Sequence, residues 1–438
     1  MEKIISIAGA IFALGFMVFI HELGHFLAAR FFGVRVDVFS LGFGPRLTGF
    51  RRGNTDYRLS ALPLGGYVRM AGETPGDERT GAPDEFASKP RWQRVIVLLA
   101  GPMMNLLTAV VVLAGLFAGK YQAPSYADKP VEIVGVLDGS PAASAGIQPG
   151  DRIVAINGAE NPTWQRAHWE AALTLPGSSI PVTVERNGST FNTSVSSGGD
   201  EFSAFGFPSQ PAVIDSISPG QPAERSGLRP GDQIVALNGQ TIESRYQFME
   251  ALQEAKDRIA QIGIARGGRD LTISVRPNKA DSPTGPRWVI GLYFRDDRVT
   301  QNYNIIQATG LSLWLNARFG EQILGVIGEL FTSRWSQVLK QVEGPVGMVA
   351  ESGRAAREGI GPLLLLSTVI SLNLGLLNLL PVPILDGGHI LMLAVETVLR
   401  RDLSVKTKEA FMQVGMVLIL ILFVVVMYHD IVRLLPHH

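Results

Sequence analysis

The sequence contains no cysteine, and its formal charges cancel. The absence of cysteine excludes a disulfide framework, a metal site with cysteine ligands and a cysteine nucleophile. Lysine and arginine together number 39, as do aspartate and glutamate, which argues against a nucleic-acid-binding protein and an acidic disordered tail. Charged residues make up only 18% of the 438 residues, whereas about 25% is typical of soluble domains. Because 46% of the residues are hydrophobic, we expect a membrane protein.

Four long apolar runs predict four membrane-spanning helices, within residues 1–33, 94–119, 359–390 and 408–432. The third must break near its end, because it contains Pro381 and Pro383. Arginine and lysine are concentrated in the loop 34–93 and in the short loop after the third span, which predicts that both loops are cytoplasmic. Four spans then place both termini and the long segment after the second span in the periplasm of a bacterial cell.

An 18-residue pattern occurs twice in that long segment, at residues 141–158 and 222–239. In each copy an alanine-rich helical turn is followed by Pro-Gly-Asp, a buried strand and Asn-Gly, which is typical of a hairpin turn. A helix follows each copy, at Trp164–Leu173 and Tyr246–Lys256. The repetition predicts two small α+β domains of the same fold.

The repeated pattern resembles that of PDZ domains, with boundaries at 120–208 and 209–297. The resemblance implies that a peptide terminus adds a strand to a sheet edge, and it suggests Phe205–Phe207 and Ile290–Leu292 as carboxylate-binding strands. The alternative is that the two domains bind no free terminus and act as steric filters. Residues 298–358 follow, and helical spacing of apolar residues between 312 and 342 predicts an amphipathic helix. It is expected to lie on the membrane surface or, alternatively, to pack on the PDZ-like domains.

The first apolar run ends in His-Glu-Leu-Gly-His, at residues 21–25. On a helix, residues four apart share a face, so His21 and His25 can bind one metal ion. Glu22 can then take a proton from a water molecule whose pKa zinc lowers to about 7. Ionisable groups at membrane depth need partners, which favours a metal site over a structural role.

A catalytic zinc ion takes three protein ligands, so a third is required. Asp386, at the end of the third apolar run, is the preferred residue because the first and third spans cross the membrane in the same direction. His389 is the competing candidate for the third ligand. Otherwise it forms a hydrogen bond to a metal-binding residue or packs locally. Iron or cobalt in place of zinc is not excluded by the sequence.

The His-Glu-x-x-His motif, the Asn-x-x-Pro-x-Pro-x-Leu-Asp-Gly motif that starts at Asn378 and the two intervening repeats resemble the site-2 protease family of intramembrane zinc metalloproteases. The likeness is greatest to its bacterial branch that regulates sigma-E. It implies Zn2+ held by His21, His25 and Asp386, with Glu22 as the general base. It also implies a single-span anti-sigma factor, already trimmed by a periplasmic serine protease, as the substrate in envelope stress signalling. Remnant signal peptides are a second implied substrate class.

The resemblance also suggests residues that contact the substrate. A membrane-associated β-hairpin is expected at about 54–70, with Gly65, Gly66 and Tyr67 at its turn, where a sheet edge could pair with an unwound substrate. Asn378, Pro381 and Pro383 are also expected to contact the substrate. Asn105 is expected to form a hydrogen bond between helices and could also contact the oxyanion.

Two other functions are alternatives to proteolysis. The first is a non-catalytic membrane receptor for misfolded envelope proteins, but such a receptor would not need Glu22. The second is a metal transporter, but the second and fourth apolar runs lack the charged residues that a transport path would need.

Overall fold

The computed structural model describes residues 2–73, 80–119, 121–175, 177–197, 201–280, 287–329 and 344–434. The chain divides into two units, one formed by Met1–Tyr121 with Asn302–His438 and the other by Gln122–Gln301. The second unit contains both copies of the repeated pattern. Each unit is described by itself below.

The helices and strands of the described residues are numbered in chain order. The helices are α1 Glu2–Phe31, α2 Arg91–Ala118, α3 Pro141–Ser144, α4 Trp164–Leu173, α5 Glu201–Phe205, α6 Pro222–Ser226, α7 Arg245–Ala255, α8 Ile305–Glu329, α9 Pro345–Glu358, α10 Ile360–Asn378, α11 Asp386–Leu399 and α12 Val405–Leu434. The strands are β1 Val36–Arg52, β2 Thr55–Met70, β3 Tyr121–Pro124, β4 Val131–Glu132, β5 Arg152–Ile156, β6 Ala159–Glu160, β7 Ser179–Arg186, β8 Ser189–Ser196, β9 Ile214–Ile217, β10 Gln233–Leu237, β11 Gln240–Thr241, β12 Ala260–Arg266, β13 Arg269–Val275, β14 Asn278–Ala280, β15 Arg287–Val289, β16 Leu292–Phe294 and β17 Arg298–Gln301.

Three helical stretches of the described residues are long and apolar enough to cross a membrane, namely Arg91–Ala118, Ile360–Asn378 and Val405–Tyr428. They coincide with the second, third and fourth predicted spans. Most side chains of α12 are exposed within the first unit, including large apolar ones such as Leu418 and Phe423, as expected of a helix in contact with lipid. The span at 1–33 stays a prediction, although α1 covers that stretch.

The third predicted span, 359–390, is not one continuous helix. The apolar helix α10 ends at Asn378, and α11 begins at Asp386. The intervening residues contain Pro381, Pro383 and Ile384, which has a left-handed φ of 83°. The prolines cannot donate backbone hydrogen bonds to a helix, so the chain leaves the helical conformation here, as predicted from the sequence. The break places Asp386 in the first turn of α11.

The predicted hairpin at 54–70 reverses near its predicted turn, but a segment of β1 separates its two arms. The chain first reverses at Gly53 and Asn54, between β1 and β2, where Gly53 readily adopts its φ of 63°. Residues 38–41 of β1 pair with 56–59 in the same chain direction and with 66–69 in the opposite direction. β2 must therefore reverse between residues 59 and 66, where Gly65 has a φ of 129°. Gly66 and Tyr67 follow this reversal and belong to residues 66–69, the outer segment of the sheet.

The second unit is built from two copies of one fold, and buried positions recur 81 residues apart. Ala142, Ile153 and Ile156 lie in the core of the first copy, and Ala223, Ile234 and Leu237 in that of the second. The predicted helices are observed as α4 and α7. Both Asn-Gly pairs have positive φ angles, as the predicted hairpin turns require.

The first suggested carboxylate-binding strand, Phe205–Phe207, is not a strand. Phe205 is the last residue of α5, and Phe207 forms only an isolated bridge with Gly135. The Phe205 side chain is fully buried in the core of the first copy, which favours the helix over an edge strand. In the second copy, β16 does begin at Leu292, directly after Gly291. The predicted helix at 312–342 is observed up to residue 329 as part of α8, which starts earlier, at Ile305. Its remainder up to 342 lies outside the described residues.

A buried aspartate of the Pro-Gly-Asp turn is bound by an arginine in both copies. Arg186 donates to Asp151 at 2.6 Å and to the Gly146 carbonyl. In the second copy Arg266 donates to Asp232, also at 2.6 Å. Burial alone would raise the pKa of Asp232, but the hydrogen bonds from Arg266 and from a backbone amide hold it below its ordinary value. The pair therefore stabilises the fold at neutral pH, and this stabilisation is lost as the pH falls through the lowered pKa.

We expect Arg266→Met to destabilise the second copy by about 3 kcal/mol, the lower end of the cost of breaking a buried ion pair, since the guanidinium is partly exposed. Asp232 would keep its burial and lose its partner. Differential scanning calorimetry and limited trypsin digestion of the detergent-solubilised chain would measure the loss. Arg269→Met is the matched control, because Arg269 is exposed on β13. Equal Tm values for both variants would contradict a stabilising role for the pair.

Candidate active site

Two glycines bring α1 and α2 close together at the site. A Cβ at Gly24 of α1 would lie 2.3 Å from the Ala100 carbonyl oxygen, and a Cβ at Gly101 of α2 would lie 2.2 Å from the His25 Nε2 atom. Neither position can accept a larger side chain without movement of the neighbour. Apolar side chains of α1, α2, β1, β2 and α11 form one buried cluster around this contact. The helices that carry the histidine motif and Asp386 are therefore held by a packed core.

His21, His25 and Asp386 meet in one place, with their ligand atoms within 4.8 Å of one another. The two histidine Nε2 atoms are 3.2 Å apart. The Asp386 Oδ2 atom lies 3.2 Å from that of His21 and 3.4 Å from that of His25. One turn of α1 supplies both imidazoles, and the first turn of α11 supplies the carboxylate.

The geometry fits a tetrahedral metal ion. Metal–ligand bonds of about 2.05 Å at tetrahedral angles place two ligand atoms about 3.3 Å apart. The three observed separations, of 3.2, 3.2 and 3.4 Å, agree with this value. Asp386 Oδ2 is also a buried atom without a hydrogen-bond donor among the described residues, as expected of an atom that binds a cation. The donor set of two imidazoles and one carboxylate suits zinc.

Both imidazoles are oriented from α2. The His25 Nδ1 atom lies 2.8 Å from the Val97 carbonyl oxygen, so it must carry the proton and leave Nε2 free to bind a metal. The His21 Nδ1 atom lies 3.2 Å from the side-chain amide of Asn105. Among the described residues the Asn105 Oδ1 atom has no hydrogen-bond donor, and an amide rotated by 180° would accept the Nδ1 proton of His21. Asn105 thus performs the predicted interhelical hydrogen bonding, with a histidine as its partner.

Glu22 faces the same cavity, of about 370 Å3, as the three residues. The Val68 backbone of β2 hydrogen-bonds its carboxylate. A Cβ at Gly66 would lie 3.1 Å from the Glu22 Cγ atom, so the outer segment of the sheet passes directly over this side chain. The cavity therefore combines a carboxylate, a metal-binding set and a strand edge.

The structure brings together most of the residues predicted to contact substrate. The cavity is lined by Gly65, Gly66, Tyr67, Asn378 and His389, in addition to the residues above. Pro381 and Pro383 do not line it. Pro381 is exposed, and Pro383 packs against α12, where a Cβ at Gly415 would lie 2.2 Å from the Pro383 Cβ atom.

Sequence reasoning missed Glu73 and Val97. Glu73 lines the cavity just after β2 and accepts a hydrogen bond from the Met70 amide. Burial raises the pKa of Glu73 to about 7. No motif marks this residue, and the Val97 carbonyl is invisible in a sequence because any residue could supply it.

Comparison with known proteins agrees with this geometry. The family model of peptidase family M50 matches residues 9–422. The chain belongs to peptidase family M50. It is 29% identical to the regulator of sigma-E protease RseP of Escherichia coli, over 98% of this chain and 99% of that protein. It is 31% identical to a putative zinc metalloprotease of Ralstonia nicotianae, over 99% of this chain and 100% of that protein. It is 29% identical to a putative zinc metalloprotease of Neisseria meningitidis, over 97% of this chain and 98% of that protein.

Membership of family M50 confirms the predicted family and the predicted enzyme class. The chain is a membrane metalloendopeptidase. Zinc, the cofactor predicted from the sequence, is the metal that the names of these relatives give.

We expect Gly101→Ala to lower activity by about 100-fold or more, because the new methyl group must displace the His25 ring, and a displacement of about 1 Å can cost that much. The peptidase assay would be accompanied by a zinc determination on the purified variant. Gly115→Ala is the matched control, because Gly115 lies on the same helix and a Cβ added there would meet no other described part of the chain within 4 Å. Normal activity in Gly101→Ala would show that the site tolerates movement of His25.

Proposed function

We propose that this chain is an intramembrane zinc metalloprotease that cleaves a transmembrane segment of a single-span membrane protein and so releases a cytoplasmic fragment. The observation that carries the proposal is the convergence of His21, His25 and Asp386 at the separations of a tetrahedral metal ion, in one cavity with Glu22. In this proposal α1 is the fourth span, and the site lies toward the cytoplasmic side of the inner membrane.

The roles of the site residues follow from their contacts. His21, His25 and Asp386 would hold zinc, which supplies a Lewis acid that makes water acidic enough to lose a proton near neutral pH. Glu22 accepts that proton and returns it to the departing amine nitrogen. The Val97 carbonyl and Asn105 keep the two imidazoles in the tautomer that leaves Nε2 unprotonated. His389 lines the cavity without joining the three ligand atoms.

The substrate backbone is bound by the outer segment of the sheet, at Gly65, Gly66 and Tyr67. Among the described residues, residues 66–69 pair with β1 alone and on one side, as Gly66 does with Leu41. Their other edge is available to an extended substrate strand, whose backbone groups would otherwise lack partners in the membrane. Asn378 lines the same cavity and offers a donor and an acceptor. Pro381 and Pro383 support this arrangement by ending α10 beside the cavity.

The substrate class is an anti-sigma factor already trimmed by a periplasmic serine protease. Three of the relatives are named regulator of sigma-E protease, and their sequences align with nearly all of this chain. Remnant signal peptides, which are single membrane spans with little mass outside the membrane, are a second substrate class. Both classes fit a site that reaches a span from within the membrane.

The two PDZ-like domains exclude substrates with bulky periplasmic domains. They form the second unit of 180 residues, Gln122–Gln301, inserted between the helices that carry the site. In this proposal a substrate must pass the two domains to reach the metal, and a trimmed substrate passes while an untrimmed one does not.

Co-expression with a tagged anti-sigma factor tests the proposal. Cells with the natural chain should release the cytoplasmic fragment of a trimmed substrate and leave an untrimmed one intact. A variant lacking residues 127–297, with the ends bridged, should also cleave the untrimmed substrate by the same metal-dependent reaction. If that variant binds zinc and still cleaves only trimmed substrate, the size filter is absent. If neither form cleaves any span, the alternative of a non-catalytic receptor for misfolded envelope proteins is favoured.

A further inference from the structure

Glu73 is a second glutamate in the cavity of the active site, and the proposed reaction assigns it no role. It directly follows the turn at the end of β2 and lines the same cavity as Glu22 and the three metal-binding residues. Its side chain is half-buried. Among the described residues it has one hydrogen bond, which its Oε2 atom accepts from the Met70 amide at 3.1 Å. The carboxyl group can therefore accept further hydrogen bonds from a molecule in the cavity.

The backbone before Glu73 is fixed by the fold. Ala71 is held by two backbone hydrogen bonds, one from its amide to the Arg35 carbonyl and one from the Phe86 amide to its own carbonyl. Gly72 then takes a left-handed φ of 66°, which glycine adopts readily. This turn directs the Glu73 side chain back to the end of β2, where it meets the Met70 amide.

Glu22 and Glu73 bind the same edge of β2, two residues apart. The Ala71 amide donates to the residue before β1. Because N–H groups alternate along a strand, the amides of Met70 and Val68 point to the opposite edge. There the Val68 backbone hydrogen-bonds Glu22, and the Met70 amide hydrogen-bonds Glu73. This is the edge that is proposed above to bind the substrate strand, and two residues cover about 7 Å along it.

A substrate strand on this edge leaves the Glu73 carboxyl without its donor. The substrate carbonyls would accept from the amides of Val68 and Met70, which the two carboxyls occupy in the free protein. Glu22 then has water as its partner, as the base of the proposed reaction. Glu73 has no second partner among the described residues, and a carboxyl shielded from water without a donor is costly. Burial already raises its pKa to about 7, and the negative charges of Glu22 and Asp386 add to the shift.

The substrate itself can supply the missing donor. Glu22 acts at the carbonyl that is attacked, and Glu73 lies two strand residues further along the same edge. The substrate residue beside Glu73 is therefore two positions from the residue whose carbonyl is attacked. A hydroxyl or amide side chain at that position can donate to Glu73 whether or not the carboxyl is protonated. A lysine or arginine would first have to lose its hydration, which is costly at membrane depth.

We propose that Glu73 selects substrates that carry a hydroxyl or amide side chain two residues from the one whose carbonyl is attacked. Glu73 is then a specificity-determining residue, and Glu22 remains the base. This inference rests on the proposed function, because it assigns a second substrate contact to the same site.

Threonine and valine substrates test the proposal, because the two side chains have nearly the same shape and only threonine carries a hydroxyl. Mass spectrometry of the products first identifies the cleaved bond of a trimmed single-span substrate. Threonine, valine or lysine is then placed in turn at each position within three residues of that bond. We expect the natural chain to have an about tenfold higher kcat/KM for threonine than for valine at one position, two residues from the attacked one. Glu73→Leu should retain zinc and lose this preference, and Glu73→Gln, which keeps an acceptor oxygen, should retain part of it.

The comparison excludes a merely structural role for Glu73, because any effect of threonine on the substrate helix is the same for both enzymes. Glu409→Leu is the matched control, since Glu409 is exposed and does not line the cavity. If Glu73→Leu does not fold, Glu73→Ala takes its place. The proposal is overturned by equal cleavage of threonine and valine substrates, by a preference that persists in Glu73→Leu, by a preference for lysine, or by complete loss of cleavage in a Glu73→Leu chain that retains zinc. If the natural chain cleaves no substrate at all, the proposed function itself is refuted, and this inference with it.

Discussion

Replacing Glu22 by glutamine should abolish proteolysis and leave the metal in place. Glutamine has nearly the same size and can still accept the hydrogen bond from the Val68 backbone, so the packing of α1 against β2 should persist. It cannot accept a proton from water, and general base catalysis contributes about 10²–10⁴-fold to a rate. We therefore expect a loss of about 10³-fold or more in cleavage of a trimmed single-span substrate, with unchanged zinc content.

Two measurements on the same preparation make this prediction decisive. Zinc content by atomic absorption reports whether His21, His25 and Asp386 still hold the ion, and gel analysis of the substrate reports cleavage. Glu243→Gln is the matched control, because Glu243 is exposed and does not line the cavity. Substantial activity in Glu22→Gln would exclude Glu22 as the base and direct attention to Glu73, the other glutamate that lines the cavity.

The metal-binding set could be predicted from the sequence because its chemistry is local or strongly constrained. His21 and His25 are four residues apart on a helix, which determines their common face. Asp386 could be assigned as the third ligand because the first and third spans cross the membrane in the same direction and the chain has no cysteine. These arguments predicted that the three side chains lie close together. They did not predict the observed separations of 3.2–3.4 Å.

The partners that orient the histidines could not be predicted with the same detail. The Val97 carbonyl is a backbone group, so its contact with His25 depends on the rotation of α2 against α1. Asn105 was identifiable as a polar residue in an apolar helix, but its contact with His21 Nδ1 requires the same packing. Gly24 and Gly101 determine that packing, and a glycine in a sequence does not reveal which neighbour occupies its open side.

The sheet formed by β1 and β2 shows what a turn prediction can and cannot provide. Leu62–Tyr67 contains Pro63 and two glycines, which are common turn residues. β2 does reverse its direction between residues 59 and 66. The pairing partners could not be predicted in the same way, because residues 38–41 of β1 lie between the two arms and pair with residues 66–69. That pairing places the strand edge over Glu22, which the sequence alone does not indicate.

The second large effect is expected from Asp386→Asn, which should remove most of the bound zinc. Asparagine retains the shape of aspartate at the start of α11 but is neutral, and a neutral amide oxygen is a much weaker zinc ligand than a carboxylate. Loss of an outer hydrogen-bond partner of a metal site costs about 10–100-fold in affinity, so loss of a ligand should exceed about 100-fold. Zinc content after dialysis against a chelator, and cleavage of the trimmed substrate, should both fall.

His389→Ala, three residues further on the same helix, tests which of the two residues is the ligand. His389 lines the cavity, but its nitrogen atoms are not part of the set within 4.8 Å that His21, His25 and Asp386 form. We therefore expect His389→Ala to retain zinc with an affinity reduced by about 100-fold at most, as for an outer partner. If His389→Ala loses the metal and Asp386→Asn keeps it, the ligands are reversed. α11 would then have to rotate by about 60°, since three residues at about 100° each place Asp386 and His389 that far apart around the helix.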